Sequence, residues 1–225
     1  LEALPNRDSV KYRELYGVPD VDTLCRGTLR FEGWSNVMHG LQSLGLFEQE
    51  VADGATWKQL LQSRLSTAAD GEELEASLRS FLATRNVKDI DDAVLAIKWL
   101  GMLTDAERSS SVPMDALCSL LQEKLQFEDG EKDMVAMYHT VLGCLPDGSF
   151  ERHTSRLLAF GNPHGDSAMA ATVGYTTAAA AELILQGRVA ETGVLIPTME
   201  AVYTPMLTKL QELGVTFTEA VDKFK

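Results

Sequence analysis

The chain is short of cysteine, of positive charge and of long apolar runs, and it lacks a phosphate-cradling glycine motif. Each shortage excludes something. Three cysteines, Cys25, Cys118 and Cys144, are an odd number at spacings that match neither a zinc site nor a disulfide framework. A reducing compartment is the simplest reading. No stretch approaches the roughly 18 to 20 apolar residues of a membrane span. The most apolar run, Ala178 to Leu185, is shorter and is interrupted by Glu182, so no membrane partner is expected. No signal-peptide pattern is present, and the opening Leu1-Glu2-Ala3 without Met is expected of a fragment or a processed product. The net charge of −13 argues against nucleic acid, whose phosphates call for a basic face. No G-x-G-x-x-G follows a strand and no G-x-x-x-x-G-K-S/T occurs, so the chain offers no recognisable nucleotide cradle.

The remainder is the composition of an ordinary globular protein, 45% hydrophobic and 24% charged over 225 residues, enough for one large domain or two small ones. Val21 to Phe31 reads as a strand, with Leu24, Arg26, Thr28 and Arg30 on one face. The period then becomes helical. Trp34, Val37, Met38, Leu41 and Leu44 share a stripe that Gly45 is placed to end. Further helices are expected over Thr56 to Leu65, Glu72 to Ala83, Ile90 to Leu103 behind an Asp89 cap, and Pro113 to Phe127. Trp57 and Trp99 are expected in their core. At Glu131 the period returns to two. Lys132 to Leu142 and Ser149 to Phe160 form a hairpin around Leu145-Pro146-Asp147-Gly148. An Ala-rich helix from Ser167 to Gly187 and another from Met199 to Leu213 close the chain. Strands before and after five helices predict an α+β fold, an antiparallel or mixed sheet interrupted by an all-helical insertion. So few strands make a poor sheet alone, and more are expected upstream.

Several constellations could carry chemistry. Arg26 and Arg30, about 13 Å apart on one strand face with Thr28 between them, suit carboxylates, which guanidinium groups grip bidentately; the same face could equally be solvated. Arg7, in Pro5-Asn6-Arg7-Asp8-Ser9, lies in a turn-like loop beside its own counter-ion. His139, His153 and His164 invite a zinc reading, which the absence of an i+2 partner for His139 weakens; ordinary sheet and loop positions explain them. Cys25 reads as a buried thiol rather than a nucleophile. The small residues of Gly165-Asp166-Ser167-Ala168-Met169-Ala170 could present N–H groups to an anion or could simply be a capped helix start. The acidic excess lies mostly between Glu32 and Glu131, as a solvated helical surface or a patch for a basic partner.

Four segments together resemble one family: Pro5-Asn6-Arg7-Asp8-Ser9, Arg26-Gly27-Thr28-Leu29-Arg30-Phe31, Glu131-Lys132-Asp133-Met134-Val135 and Ser167-Ala168-Met169-Ala170. Lys98-Trp99-Leu100-Gly101 and Thr172-Val173-Gly174 fall in the expected order. The chain resembles saccharopine dehydrogenases (saccharopine reductases, L-glutamate-forming), in their single-function form or fused to lysine–ketoglutarate reductase. Ala171 and the pair Phe31-Glu32 depart from the family pattern. The resemblance implies a Rossmann domain upstream that binds NAD or NADP, with none of the cofactor held here. Residues 1–33 would be a loop and strand of the substrate domain, 34–130 a helical insertion, 131–165 the substrate-domain hairpin, and 166–225 helices that return to pack on the nucleotide-binding domain. It also implies saccharopine as substrate, its carboxylates met by Arg7, Arg30, Thr28 and Arg26, and a homodimer, cytoplasmic or, if fused, mitochondrial. No residue here is assigned as catalytic acid or base, and no metal is expected. The competing expectation is a free-standing binding or dimerisation module without catalysis.

Overall fold

The computed structural model describes residues 1–225 and divides them into two compact units, Leu1–Arg7 with Cys25–Gln126, and Asp8–Leu24 with Phe127–Lys225. In the first, β1 (Glu2–Pro5) pairs antiparallel with β2 (Gly27–Arg30), placing Glu2 opposite Arg30 and Leu4 opposite Thr28. The Asn6 N–H donates to the Arg26 carbonyl at 3.0 Å and ends the pairing. The strand expected from Val21 is therefore shorter, because its partner is only four residues long and nothing pairs with residues 21–25. Pro5 is tolerated as the last residue of an edge strand, where no ladder donor is required.

Five helices follow: α2 (Trp34–Ser43), α3 (Trp57–Leu65), α4 (Gly71–Thr84), α5 (Ile90–Trp99) and α6 (Pro113–Lys124). Their starts are where the side chains require them. Thr56 and Gln59 form a reciprocal capping box on α3, and Asp70 and Asp89 cap α4 and α5. Gly45, at φ +73°, turns the chain after α2. The core is a single cluster of Leu41, Leu44, Trp57, Leu60, Leu61, Leu78, Leu82, Val94, Ile97 and Leu117 with their neighbours. Asn36 joins α2 to the entrance of α5, its Oδ1 accepting from the N–H groups of Lys88 and Asp89 at 3.0 and 3.1 Å.

Two expectations change here. Helix α5 stops at Trp99, since Gly101 takes φ +80° just beyond it. Trp99 is 56% exposed rather than in the core. At 100° per residue the buried stripe runs through Ala93, Val94, Ile97 and Leu100, leaving Leu95 and Trp99 on the opposite side. The acidic stretch is largely a solvated face on which several of the few basic side chains are met by carboxylates. Lys58 meets Asp70 and Asp105, Arg79 meets Glu75 and Asp91, and Lys98 meets Glu75.

The second unit begins with the single turn α1 (Tyr12–Leu15) and is built on β3 (Met134–Cys144), β4 (Phe150–Phe160) and β5 (Thr218–Phe224), antiparallel in the order β3-β4-β5. Gly148 at φ +81° closes the hairpin turn, its N–H donating to the Leu145 carbonyl at 2.9 Å. Helices α7 (Ala168–Leu185) and α8 (Glu200–Glu212) pack through Ala179, Leu183, Val189 and Met206. Leu157 is buried on the sheet face that also carries Val135 and Ala159, and α7 packs on β3. The opposite face presents Met134, Tyr138, Leu142, Leu158 and Phe160, all exposed.

The α+β class and antiparallel pairing agree with the sequence, but the strands flanking the helices form two sheets rather than one interrupted sheet. Each acquires a partner that the sequence pattern does not advertise: β1 for β2, and β5 for the free edge of β4. A second correction concerns α7, an 18-residue helix of mean hydropathy 1.3 that is, by length and composition, long and apolar enough to cross a membrane. Seven of its 18 residues are alanine, 17% of its length is buried, and Glu182 in its last turn pairs with Lys209 of α8 at 3.2 Å.

Leu61, fully buried, should cost about 2–5 kcal/mol when cut to alanine. Trp99→Ala, despite removing a larger side chain, should cost less than about 1 kcal/mol. Urea unfolding of both variants measures the contrast, and equal losses would put Trp99 back in the core.

Candidate functional site

The candidate arginines belong to the small β1-β2 sheet and its end. Thr28 and Arg30 share one face of β2, as their spacing of two requires, Glu2 and Leu4 lie opposite Arg30 and Thr28 on that face, and Arg26 immediately precedes the strand. Thr28 is half-buried, whereas Arg26 and Arg30 are exposed. Cross-strand pairing would ordinarily join Glu2 to Arg30. Instead the Glu2 Oε1 accepts the Ser35 N–H at 2.8 Å, capping α2, whose N-cap residue Gly33 has no side chain to do so. That backbone hydrogen bond holds the Glu2 carboxyl below the ordinary carboxylate range. The Arg30 guanidinium lies 5.3 Å over the Trp34 ring, and its Nη1 donates to the Leu29 carbonyl at 2.8 Å.

Arg7 follows directly after the last paired residue of β1. It is exposed, makes no hydrogen bond or ion pair, and adopts a left-handed backbone at φ +59°. Such a conformation is uncommon for a side chain of this size and is a feature of binding and active sites. The expected counter-ion, Asp8, accepts from the Val10 N–H at 3.0 Å. Thr28 and Arg30 are thus brought to one face, with Arg26 and Arg7 just beyond the same end of the sheet. The arrangement can bind and orient carboxylates. Glu2 and Trp34 were not singled out from the sequence. The signal that could have found them is the side-chain-free cap at Gly33 and the four-residue spacing from Arg30 to Trp34.

The Ser167 segment has a different role from anion capture. The Asp133 carboxylate accepts from the N–H groups of Ala168 and Met169 at 2.7 and 2.9 Å, while Ser167 Oγ accepts from Ala170 N–H at 3.0 Å. These bonds draw the Asp133 carboxyl below its usual range, that to Met169 most strongly. The Glu131–Val135 and Ser167–Ala170 motifs therefore meet through one side chain. Gly161 permits it: a Cβ there would stand 2.0 Å from the Asp133 carboxylate and 2.8 Å from the Ala168 nitrogen.

The histidines and cysteines form no centre. The hairpin register sets His139 opposite Ser155 and His153 opposite Val141. His139 stacks on Phe217 at 6.3 Å, and His153 pairs with Glu151 at 3.0 Å. No group of three or more His, Cys, Asp or Glu side chains is gathered to hold a metal ion. Cys25 is exposed, not buried, because it precedes β2 rather than lying within it.

Asp133 supplies stability that is present above its unfolded-state value, near about 3.9, and is lost as pH falls through its lower folded-state value. Asp133→Asn should therefore melt earlier than the parent at pH 7, with the gap closing below about pH 4. Gly161→Ala should destabilise by about 1–3 kcal/mol, since backbone must yield. Thermal melts across pH measure both.

The Saccharopine dehydrogenase C-terminal domain family matches residues 1–215. The mitochondrial alpha-aminoadipic semialdehyde synthase of Bos taurus is 35% identical over 228 residues, covering 97% of this chain and 24% of that protein. Saccharopine dehydrogenase (NADP(+), L-glutamate-forming) of Saccharomyces cerevisiae is 32% identical over 214 residues, covering 92% and 48%. The solved structure of apo histidine-tagged saccharopine dehydrogenase (L-Glu forming) from the same yeast superposes with a TM-score of 0.88 at 30% identity, over 97% of this chain and 51% of that one. The chain spans about half the length of the yeast enzyme and about a quarter of the bovine one. With the arginine-bearing sheet, the helical block and the Asp133-capped helix all inside the matched region, the chain belongs to the saccharopine dehydrogenase C-terminal domain family.

Proposed function

We propose that this chain is the substrate-binding portion of an NAD(P)-dependent saccharopine dehydrogenase, which interconverts saccharopine with glutamate and aminoadipate semialdehyde in lysine metabolism. The observation that carries the reading is electrostatic. Arg7 and Arg30 keep guanidinium donors unengaged, while the carboxylate opposite Arg30 is committed to a helix start. Saccharopine has three carboxylates, and unneutralised arginines beside a half-buried Thr28 are suited to two of them.

The nicotinamide fits poorly on these residues. Of the helices that follow strands, α2 and α7 each have a carboxylate, Glu2 or Asp133, on the N–H groups a pyrophosphate would need. We therefore assign the cofactor, NAD or NADP, to the part of the protein preceding these residues; when bound it would supply hydride transfer at the C–N bond. The contribution of this chain is to bind and orient, Arg7, Arg30, Thr28 and Arg26 fixing the substrate's carboxylates. In this reading residues 34–130 are a helical insertion in the substrate domain, and 166–225 return toward the nucleotide-binding domain. The enzyme works in the cytoplasm or, when fused as in the mammalian relatives, in the mitochondrion. The exposed apolar sheet face of Met134, Tyr138, Leu142, Leu158 and Phe160 supports a homodimer.

Arg7→Lys in the full-length enzyme keeps the charge and loses the planar fork. The KM for saccharopine should rise about ten- to a hundredfold, the equivalent of about 1.5–3 kcal/mol for a charged hydrogen bond, with nicotinamide KM and melting temperature little changed. An unchanged saccharopine KM removes Arg7 from the site. Analytical sedimentation tests the dimer: the isolated chain should self-associate at micromolar concentration and Leu158→Glu should shift it toward monomer, whereas a monomeric parent chain counts against this assignment.

A further inference from the structure

Arg30 is an exposed side chain with several rotatable bonds, and such a group normally samples many positions. Here three features restrain it. Its Nη1 is tied to the Leu29 carbonyl of its own strand at 2.8 Å. Its guanidinium carbon lies 5.3 Å over the Trp34 ring. Glu2, the side chain across the ladder that would otherwise draw it away, accepts instead from Ser35 at 2.8 Å. The same Glu2 bond fixes the first turn of α2, and the Trp34 backbone N–H donates to the Phe31 carbonyl at 3.1 Å, so the backbone that carries the indole is fixed relative to β2.

Trp34 is unusual for the leading residue of a helix whose later apolar side chains turn into the core. Leu41 and Leu44 are buried, whereas Trp34 remains 40% exposed beneath the arginine. What this leaves on Arg30 is specific. Of its donors only Nη1 has a protein acceptor, so the Nε–H and Nη2–H edge remains available. That edge is the side-on fork that meets a carboxylate with two parallel hydrogen bonds. The indole also excludes water from one face of the guanidinium, which strengthens its attraction for an anion arriving in the ring plane.

We propose that Trp34 is a positioning residue for Arg30, holding the guanidinium so that its side-on edge takes a substrate carboxylate. The proposal rests on Arg30 being part of the saccharopine site, and the experiment separates the two. Steady-state constants are measured for the full-length enzyme carrying Trp34→Leu, Trp34→Phe, Arg30→Lys, and Trp34→Leu together with Arg30→Lys. Trp34→Leu keeps apolar bulk but removes the π face; it should raise the saccharopine KM about three- to tenfold, as expected for loss of a cation–π contact. The nicotinamide KM should stay constant and kcat should change by less than about twofold. Trp34→Phe, with a weaker π face, should restore most of the loss. In the Arg30→Lys background, Trp34→Leu should add nothing further.

A rise with Arg30→Lys but none with Trp34→Leu overturns the role of Trp34 and leaves the site assignment standing. A full Trp34→Leu effect in the Arg30→Lys background shows that Trp34 acts apart from Arg30 and also overturns it. No rise with Arg30→Lys removes Arg30 from the site, and the proposal with it. Should Trp34→Leu not fold, Trp34→Met serves the same purpose; failure of both to fold makes Trp34 a structural residue and overturns the proposal.

Discussion

A helix start leaves up to four N–H groups without partners and carries partial positive charge. In this protein two such starts are closed by carboxylates from remote strand segments: Glu2 at α2 and Asp133 at α7. The rest of the two units depends on these contacts. Each ties a strand region to the helix that leads away from the sheet, more than thirty residues further along the chain. In the first unit, the removal of Glu2 from Arg30 is what leaves an arginine able to receive a foreign carboxylate.

The two units achieve order by different means. The helical block buries a continuous leucine-rich core, and some of its surface charges pair, as Lys58 does with Asp70 and Asp105, while most of its carboxylates are simply solvated. Surface pairs of this kind add little stability and mainly keep the acidic face soluble. The second unit has a smaller core between α7 and α8 and a sheet with one face largely exposed. A three-stranded sheet with an uncovered apolar face is expected to be completed by other protein. The proposed site falls on the smallest element of all. A two-stranded ladder can present arginines only because the α2 cap, the Trp34 ring and the positive-φ turn at Arg7 hold its surroundings in place.

Much was legible in the residue order. Apolar spacing located α3 to α6, helped by Asp89 and Pro113, because helical periodicity, the Asp89 cap and the fixed φ of Pro113 act on immediate neighbours. Period-two alternation and a Pro-Asp-Gly turn located the β3-β4 hairpin for the same reason. The chain of motifs through Arg7, Arg30, Asp133 and Ser167 was enough to identify the family. Those are local properties, and sequence by its nature reports local properties well.

Long-range partnership was not legible. Strand β1 carries a proline, and β5, with Glu219, Asp222 and Lys223, has little apolar alternation; each is a strand only because a ladder partner is present. Trp99 looked like core until the helix phase and its end at Gly101 turned it outward. Spacing could show that Thr28 and Arg30 share a face, but not that Glu2 would ignore Arg30 or that Asp133 would fill the start of α7. Those outcomes depend on which of several competing acceptors lies nearest in space once the chain is folded, a question of three-dimensional distance rather than of sequence order.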